Sequence, residues 1–351
     1  MREFEKNIRK VEPYVPGEQP QKKVIKLNTN ENPYPPAPGV LAAMKKLEGH
    51  VDSLRLYPDP TSDALVSALA DFYHVGKDQV FVGVGSDDVL SMCFLTFFNS
   101  EKPVFFPDIT YSFYKVWADL YRIPYECKKV DENFHIIKED YPENGGVIFP
   151  NPNAPTSIYE DLEFVEDIIR HNQDVIVIVD EAYIDFAGES ALSLLDKYDN
   201  LIITQTFSKA RSMAGMRIGY AIASPLLIKY LNDAKYSFNS YTMNKTSLVY
   251  GAEAVKDKEY FAETTRKIVE TRDWAEEEFK KLGFVFPKPS ANFIFVSHPE
   301  YDAKELFEAM KAKGIYVRFW GNERIEQYLR VTIGTREEME ALFAFLREYM
   351  M

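Results

Sequence analysis

Short, continuously apolar runs recur along this chain with helical patterns between them, and that alternation leaves few folds open. Val80–Val84, Val104–Phe106, Gly146–Phe149, Val175–Val179, Leu201–Thr204 and Ile218–Ala223 are each strand-length and apolar. A strand wetted on one face alternates apolar with polar residues, so strands apolar on both faces must be covered on both. Gly39–Glu48, Ser62–Tyr73 and Leu162–Arg170 carry apolar residues at three- and four-residue spacing, which predicts helices. The expected class is therefore α/β, with a mostly parallel sheet under helices on both faces. After about Phe238 the pattern changes. A long helix is predicted over Asp257–Leu282, with Phe261, Thr265, Ile268, Arg272, Ala275, Phe279 and Leu282 along one seam packed on its own fold. Strand-like Phe293–Val296, Ile315–Phe319 and Tyr328–Thr332, a helix over Ala303–Lys313 and a last helix from Arg336 complete a smaller α+β unit. The expected division is an N-terminal arm, 1–30, that joins the small domain; a large domain, 31–240; and a small domain, 241–351. The proline-rich segment Asn32–Pro38 reads as a stiff connector from the arm.

Composition narrows the function classes. The 351 residues hold 41 Lys and Arg against 54 Asp and Glu, a net charge of −13. Such a chain lacks the basic footprint of a nucleic-acid binder. No apolar run is long enough to span a membrane, and the N-terminus lacks the apolar core of a signal peptide. Two cysteines, Cys93 and Cys127, exclude a disulfide framework and suit a reducing cytoplasm. The five histidines are scattered, so no metal site is expected.

Three segments carry chemistry. Val82-Gly-Val-Gly85-Ser86-Asp87 feeds a strand through a glycine turn into a helix, where free backbone N–H groups suit a phosphate. Val177-Ile-Val-Asp180-Glu-Ala-Tyr183 places an acid at the end of a buried strand, the edge where open α/β sheets bind ligands. Thr204-Gln-Thr206-Phe-Ser208-Lys209 ends a strand in hydroxyls and a lysine placed for Schiff-base chemistry, and Gly215-Met-Arg217-Ile-Gly219 follows. An acid, a lysine and convergent phosphate donors are what pyridoxal phosphate requires.

The set resembles the fold-type I pyridoxal-phosphate aminotransferases, and more narrowly their histidinol-phosphate subgroup. The carrying segments also include Leu27-Asn-Thr-Asn-Glu-Asn-Pro33, Arg55-Leu-Tyr57-Pro-Asp-Pro60, Pro107-Asp-Ile-Thr-Tyr111, Asn151-Pro-Asn-Ala-Pro-Thr156 and Leu329-Arg-Val-Thr-Ile-Gly334, in family order over nearly the whole chain. The resemblance implies transamination between L-histidinol phosphate, an amino phosphate, and the 2-oxo acid 2-oxoglutarate, with pyridoxal 5′-phosphate as cofactor. It implies that Lys209 anchors the cofactor and moves the proton, that Asp180 pairs with the pyridine nitrogen, and that Tyr183 bonds the 3-oxygen. Tyr111 would stack on the ring, and Gly85, Ser86, Asp87, Thr206, Ser208 and Arg217 would hold the phosphate. Tyr57 would reach the neighbouring subunit's cofactor in a homodimer. Arg330, Arg318, Tyr14 and Asn30 would bind substrate, with Arg318 favouring the phosphate substrate. The chain departs from the pattern at Ala154, where the family often has Asn, and at Ser157, where it has Gly. Asn153 or Asn151 is expected to substitute at the 3-oxygen, or Tyr183 to act alone. Asp88 replaces a usual Glu, and Tyr236–Tyr241 matches only loosely on the substrate side. Competing readings are a threonine-phosphate decarboxylase, an aromatic-amino-acid aminotransferase and a ligand-binding protein without catalysis. The presence of both Lys209 and Asp180 argues against the last.

Overall fold

In the computed structural model, which describes residues 2–351, the apolar runs become strands of two kinds of sheet. The strands are β1 (Ile25–Lys26), β2 (Val80–Gly83), β3 (Val104–Pro107), β4 (Tyr125–Lys128), β5 (Gly146–Pro150) and β6 (Val177–Asp180). They continue with β7 (Leu201–Thr206), β8 (Gly219–Ala223), β9 (Phe293–Val296), β10 (Ile315–Tyr316), β11 (Arg318–Phe319) and β12 (Leu329–Thr332). The helices are α1 (Pro38–Glu48), α2 (Asp63–Tyr73), α3 (Ser86–Phe97), α4 (Phe113–Tyr121), α5 (Leu162–His171), α6 (Pro225–Phe238), α7 (Lys245–Lys256), α8 (Lys258–Lys281), α9 (Ala303–Ala312) and α10 (Arg336–Tyr349).

The large sheet has the order β2-β8-β7-β6-β5-β3-β4, and only β8 runs against the others. Side chains alternate between its faces. Val177 and Val179 enter the core beneath α1, α2, α5 and α7, whereas Ile178 enters the one beneath α3, α4 and α6. Every residue of β6 and β7 is buried, as the apolar runs require. The edge strand β4 is only half-buried and mixes polar with apolar residues, which is why it left no apolar run to read.

The predicted long helix is α8, capped by the Asp257 carboxylate on the Tyr260 amide. Its seam residues Ile268, Ala275 and Phe279 are buried in the small domain's own core, and Phe279 lies 4.8 Å from the Phe343 ring. Two expectations change. The run Ile315–Phe319 splits: β10 pairs in parallel with β1 of the arm, and β11 pairs antiparallel with β12. Helix α7 lies on the large core through Leu248, Tyr250 and Val255, so we place the change of domain at Asp257 and not at 240. Position 241 is a turn without a change of core, and turns alone do not reveal which core the next helix covers.

Ser157 joins the two units and explains one departure from the family pattern. Its backbone is left-handed, φ 67°, the conformation for which glycine is the unstrained choice. In return its hydroxyl donates to the Phe293 carbonyl at 3.0 Å and accepts from the Ser290 and Ala291 amides at 3.0 and 2.8 Å. A hydroxyl has one hydrogen and two lone pairs, so this one is saturated. Ser157→Gly should relieve the strain yet lower stability by about 1–3 kcal/mol, and Ser157→Ala should cost more because it keeps the strain. Urea unfolding midpoints of the two variants check the order.

Candidate active site

Asp180 ends β6, opposite Thr204 of β7 and Pro150 of β5, at the carboxyl edge of the sheet. It faces α4, and the Tyr114 hydroxyl donates to one carboxylate oxygen at 2.9 Å while Thr204 donates to the other at 3.3 Å. The residue is 4% exposed, and among the described residues no lysine, arginine or histidine forms an ion pair with it. Burial therefore pushes its pKa up to about 6, only partly offset by those two hydroxyls and the Ala182 amide. It is a carboxylate short of a positive partner.

The neighbour Glu181 points to the opposite face and is buried too, with its pKa pushed by burial up to about 7. It accepts from the Ser190 hydroxyl at 2.6 Å, the Ala191 amide at 2.7 Å and the Gln205 amide group at 2.9 Å. Gln205 in turn accepts from the Tyr73 and Tyr220 hydroxyls, each at 2.7 Å. Residues 181, 205 and 220 adjoin Asp180, Thr204, Thr206 and Gly219, so this polar brace ties together the strand ends that carry the site.

Beside Asp180 a cavity of about 240 Å³ is lined by Ser86, Asp87, Tyr111, Ala154, Tyr183, Thr206, Ser208, Lys209 and Arg217, among others. At one end Gly85 turns the chain into α3 with φ 88°, and Gly219 lies so close that a Cβ there would collide with the Ser86 nitrogen. The Ser86 amide opens α3, and Ser208 and Arg217 stand nearby, a cup for an anion. Asp87 would oppose an anion, but it accepts from Arg217 at 3.1 Å and from the Tyr111 hydroxyl at 2.7 Å.

Lys209 borders this cavity and a second one of about 440 Å³. Its ammonium donates to the Thr29 carbonyl at 3.0 Å and lies 5.6 Å from the Tyr183 ring centre. The arm strip 28–30 stitches the site together. Arg330 donates to the Asn28 carbonyl at 2.9 Å, and the Asn30 amide group donates to the Tyr183 hydroxyl at 2.9 Å. Asn30 is held in turn by Thr332 and Asn292 of the small domain. Arg330 is half-buried, desolvation of its guanidinium lowers its pKa, and its Nε is buried without a partner. It lines the larger cavity with Tyr14 and Asn30 and lies 5.1 Å from the Trp320 ring centre.

Four residues named from the sequence line neither cavity. Asn153 spends its side-chain amide on the Ile109 carbonyl and the Thr156 hydroxyl, and its oxygen accepts from Thr110, so it braces a loop and lines neither cavity. Asn151 is likewise tied at both ends to the Glu160 backbone. Of these groups only Tyr183, whose hydroxyl accepts from Asn30, lines the cavities. Arg318 turns to the carbonyls of Val15 and Pro16, 3.2 and 3.4 Å away, and does not line the cavity; it holds the arm next to Tyr14. Tyr57 is 80% exposed and stacks on Tyr241 at 4.6 Å, away from both cavities of this chain. Tyr114 was missed: nothing in its local sequence points to an acid 66 residues away.

The lining fits pyridoxal phosphate. The buried carboxylate lacks a cation, an anion cup sits at the other end, and Lys209 is between cavities. The family model for aminotransferase class I and II matches residues 22–346. The histidinol-phosphate aminotransferase of Clostridium botulinum is 50% identical over 343 residues, covering 97% of this chain and 96% of that protein. That of Lactococcus lactis is 46% identical over 349 residues, covering 99% and 96%. The fold is also that of the Sinorhizobium meliloti histidinol-phosphate aminotransferase solved in complex with pyridoxal-5′-phosphate (TM-score 0.84, 23% identity, 96% of this chain and 95% of that one). A buried acid on a strand end, a lysine across the cavity and relatives matched from end to end lead to one assignment: the chain belongs to the class I and II aminotransferases.

Proposed function

We propose that this chain transfers the amino group of L-histidinol phosphate to 2-oxoglutarate, giving imidazole acetol phosphate and L-glutamate, a step of histidine biosynthesis. The observation that carries the reading is Arg330, a half-buried arginine whose buried Nε has no partner, on the cavity wall shared with Lys209. The first substrate carries a phosphate near its amine-bearing carbon and the second a carboxylate, and one planar guanidinium serves both anions. The end-to-end relatives named for histidinol phosphate support the same choice.

When bound, pyridoxal phosphate supplies an aldehyde that takes up the amine and a ring that withdraws electrons from the substrate carbon. This chain's residues do the rest. Asp180 keeps a proton on the ring nitrogen, and its lack of any other cation makes that pairing favourable. Ser86, Thr206, Ser208 and Arg217 hold the phosphate, and Tyr111 covers the ring. Tyr183, oriented by Asn30, donates its hydroxyl hydrogen to the ring oxygen. Lys209, held at the Thr29 carbonyl, anchors the cofactor and carries the proton at the substrate's amine-bearing carbon. Arg330 and Tyr14 hold the anionic end. The working unit is a cytoplasmic homodimer. Tyr57 and Tyr241 stack on each other while largely exposed, and Leu54, Leu56 and Phe238, close to them in sequence, are exposed as well, apolar surface suited to a second copy. Among the described residues no helix is long and apolar enough to cross a membrane.

Lys209→Ala should lower turnover by about 10⁴-fold, and borohydride should fix the cofactor to the wild-type chain only at Lys209, as read by peptide mass. Fixation at another lysine overturns the assignment. Asp180→Asn should cost about 10³-fold in rate. The same substitution has a signature in the cofactor-free protein. A carboxyl whose folded pKa is raised from 3.8 to about 6 destabilises the fold progressively as pH rises through that window. Cofactor-free Asp180→Asn should therefore match the wild type near pH 4 and exceed it above pH 6 by up to about 3 kcal/mol. Melting curves across pH measure this; equal curves at pH 8 contradict the unpaired charge. Mixing inactive Tyr57→Ala with inactive Lys209→Ala subunits should restore activity through one intact site per mixed dimer. Confirmed exchange without recovery excludes the shared site.

A further inference from the structure

The larger cavity has a roof and a floor from different domains. Trp320, Asn322, Glu323, Arg324 and Ile325, between β11 and β12, line one side; Asp108–Ser112 and Lys115 of the large domain line the other. The roof belongs by sequence to the small domain, yet its tip is fastened to the large one. Arg324 Nη1 donates to Asp108 Oδ2 at 3.0 Å, and Nη2 donates to the Val130 and Asp131 carbonyls at 2.9 and 3.0 Å. The second oxygen of Asp108 accepts from the Val130 amide at 3.0 Å, so this carboxylate is fixed before Arg324 arrives. Next in the chain, Ile325 is buried in the large-domain core. Arg324 itself has φ 71°, a left-handed backbone that an L-residue adopts only when its surroundings hold it there.

We propose that the Arg324–Asp108 pair is an inter-domain latch that holds the roof over the substrate cavity, making both residues positioning residues for the phosphate-bearing amine. The inference rests on the substrate reading above. A fixed roof keeps Trp320, which packs on Arg330, and so keeps the anion site preorganised before substrate enters. The strained backbone argues for a held state: without its three hydrogen bonds to the large domain, residue 324 has reason to relax and the tip to lift. The rival role, in which Arg324 itself binds the substrate's phosphate, conflicts with its guanidinium being spent on three protein oxygens. The two roles respond oppositely to one substitution. Asp108→Asn keeps the shape and the acceptor for Val130 but presents an amide group to Arg324. A latch then fails, whereas a phosphate ligand is set free.

The test uses the cofactor-loaded full chain, with Asp108→Asn, Arg324→Gln and the double variant. Amide hydrogen exchange over residues 320–328 should quicken about tenfold in each single variant, without substrate present. The KM for histidinol phosphate should rise about tenfold while kcat falls less than about threefold, the pattern of lost ground-state positioning. The double variant should be no worse than Arg324→Gln alone, because that substitution already removes the Asp108 contact along with both carbonyl bonds. Unchanged exchange in both single variants overturns the latch, as does a lowered KM in Asp108→Asn. Faster exchange in a protein whose wild type fails to turn over histidinol phosphate refutes the substrate reading and leaves the latch standing.

Discussion

A carboxylate buried without a cation is the constraint around which this structure is arranged. Taking Asp180 out of water costs the fold energy, and two hydroxyls and the Ala182 amide recover only part of it. A protein keeps such a group where its charge has work to do. The cost is tolerable because the strand that bears it is buried on both faces and paired on both sides. On the far face Glu181, Gln205, Tyr73 and Tyr220 lock the same strand ends together with short hydrogen bonds. A cationic ring nitrogen placed at Asp180 would meet a group that cannot retreat, with the preorganisation already built into the fold.

The large sheet supplies the rigid half of the site, and three consecutive residues of the arm connect it to the other half. Asn28 meets Arg330, Thr29 meets Lys209 and Asn30 meets Tyr183. The arm itself is held by β10 and by Thr332 and Asn292. Arg330, Lys209 and Tyr183 are thus registered against one short strip, so a shift of the small domain is felt at all three. Ser157 and Arg324 add separate ties between the domains, one beneath the small sheet and one at the cavity's mouth.

Residues named from the sequence that line neither cavity stand apart for an identifiable reason. Asn153 and Arg318 are of the right type in the right segment, but each is consumed by backbone groups that a linear reading does not bring near: Ile109 for one, Val15 and Pro16 for the other. Tyr114 was overlooked for the converse reason. It sits on the inner face of α4, and its meeting with Asp180 depends on how that helix crosses the sheet. Hydrogen-bond saturation is a tertiary property, and for polar side chains it decides between bracing a loop and facing a ligand.

The sequence by itself determined the layered α/β plan, the small second unit, the long helix and the acid and lysine at strand ends. Those follow from local periodicity and from the rule that strands apolar on both faces must be covered on both. It also carried the glycine turn, because φ above zero and close backbone approach are written in residue type. Only the tertiary structure decided that α7 belongs to the large core, that Ile315–Phe319 splits between two partners, and that the cavity's roof is fastened across the domains. Each of these is a choice among partners that share the same local pattern. Such choices are settled by which surfaces meet and which buried polar groups find a bond, and no single segment holds that information.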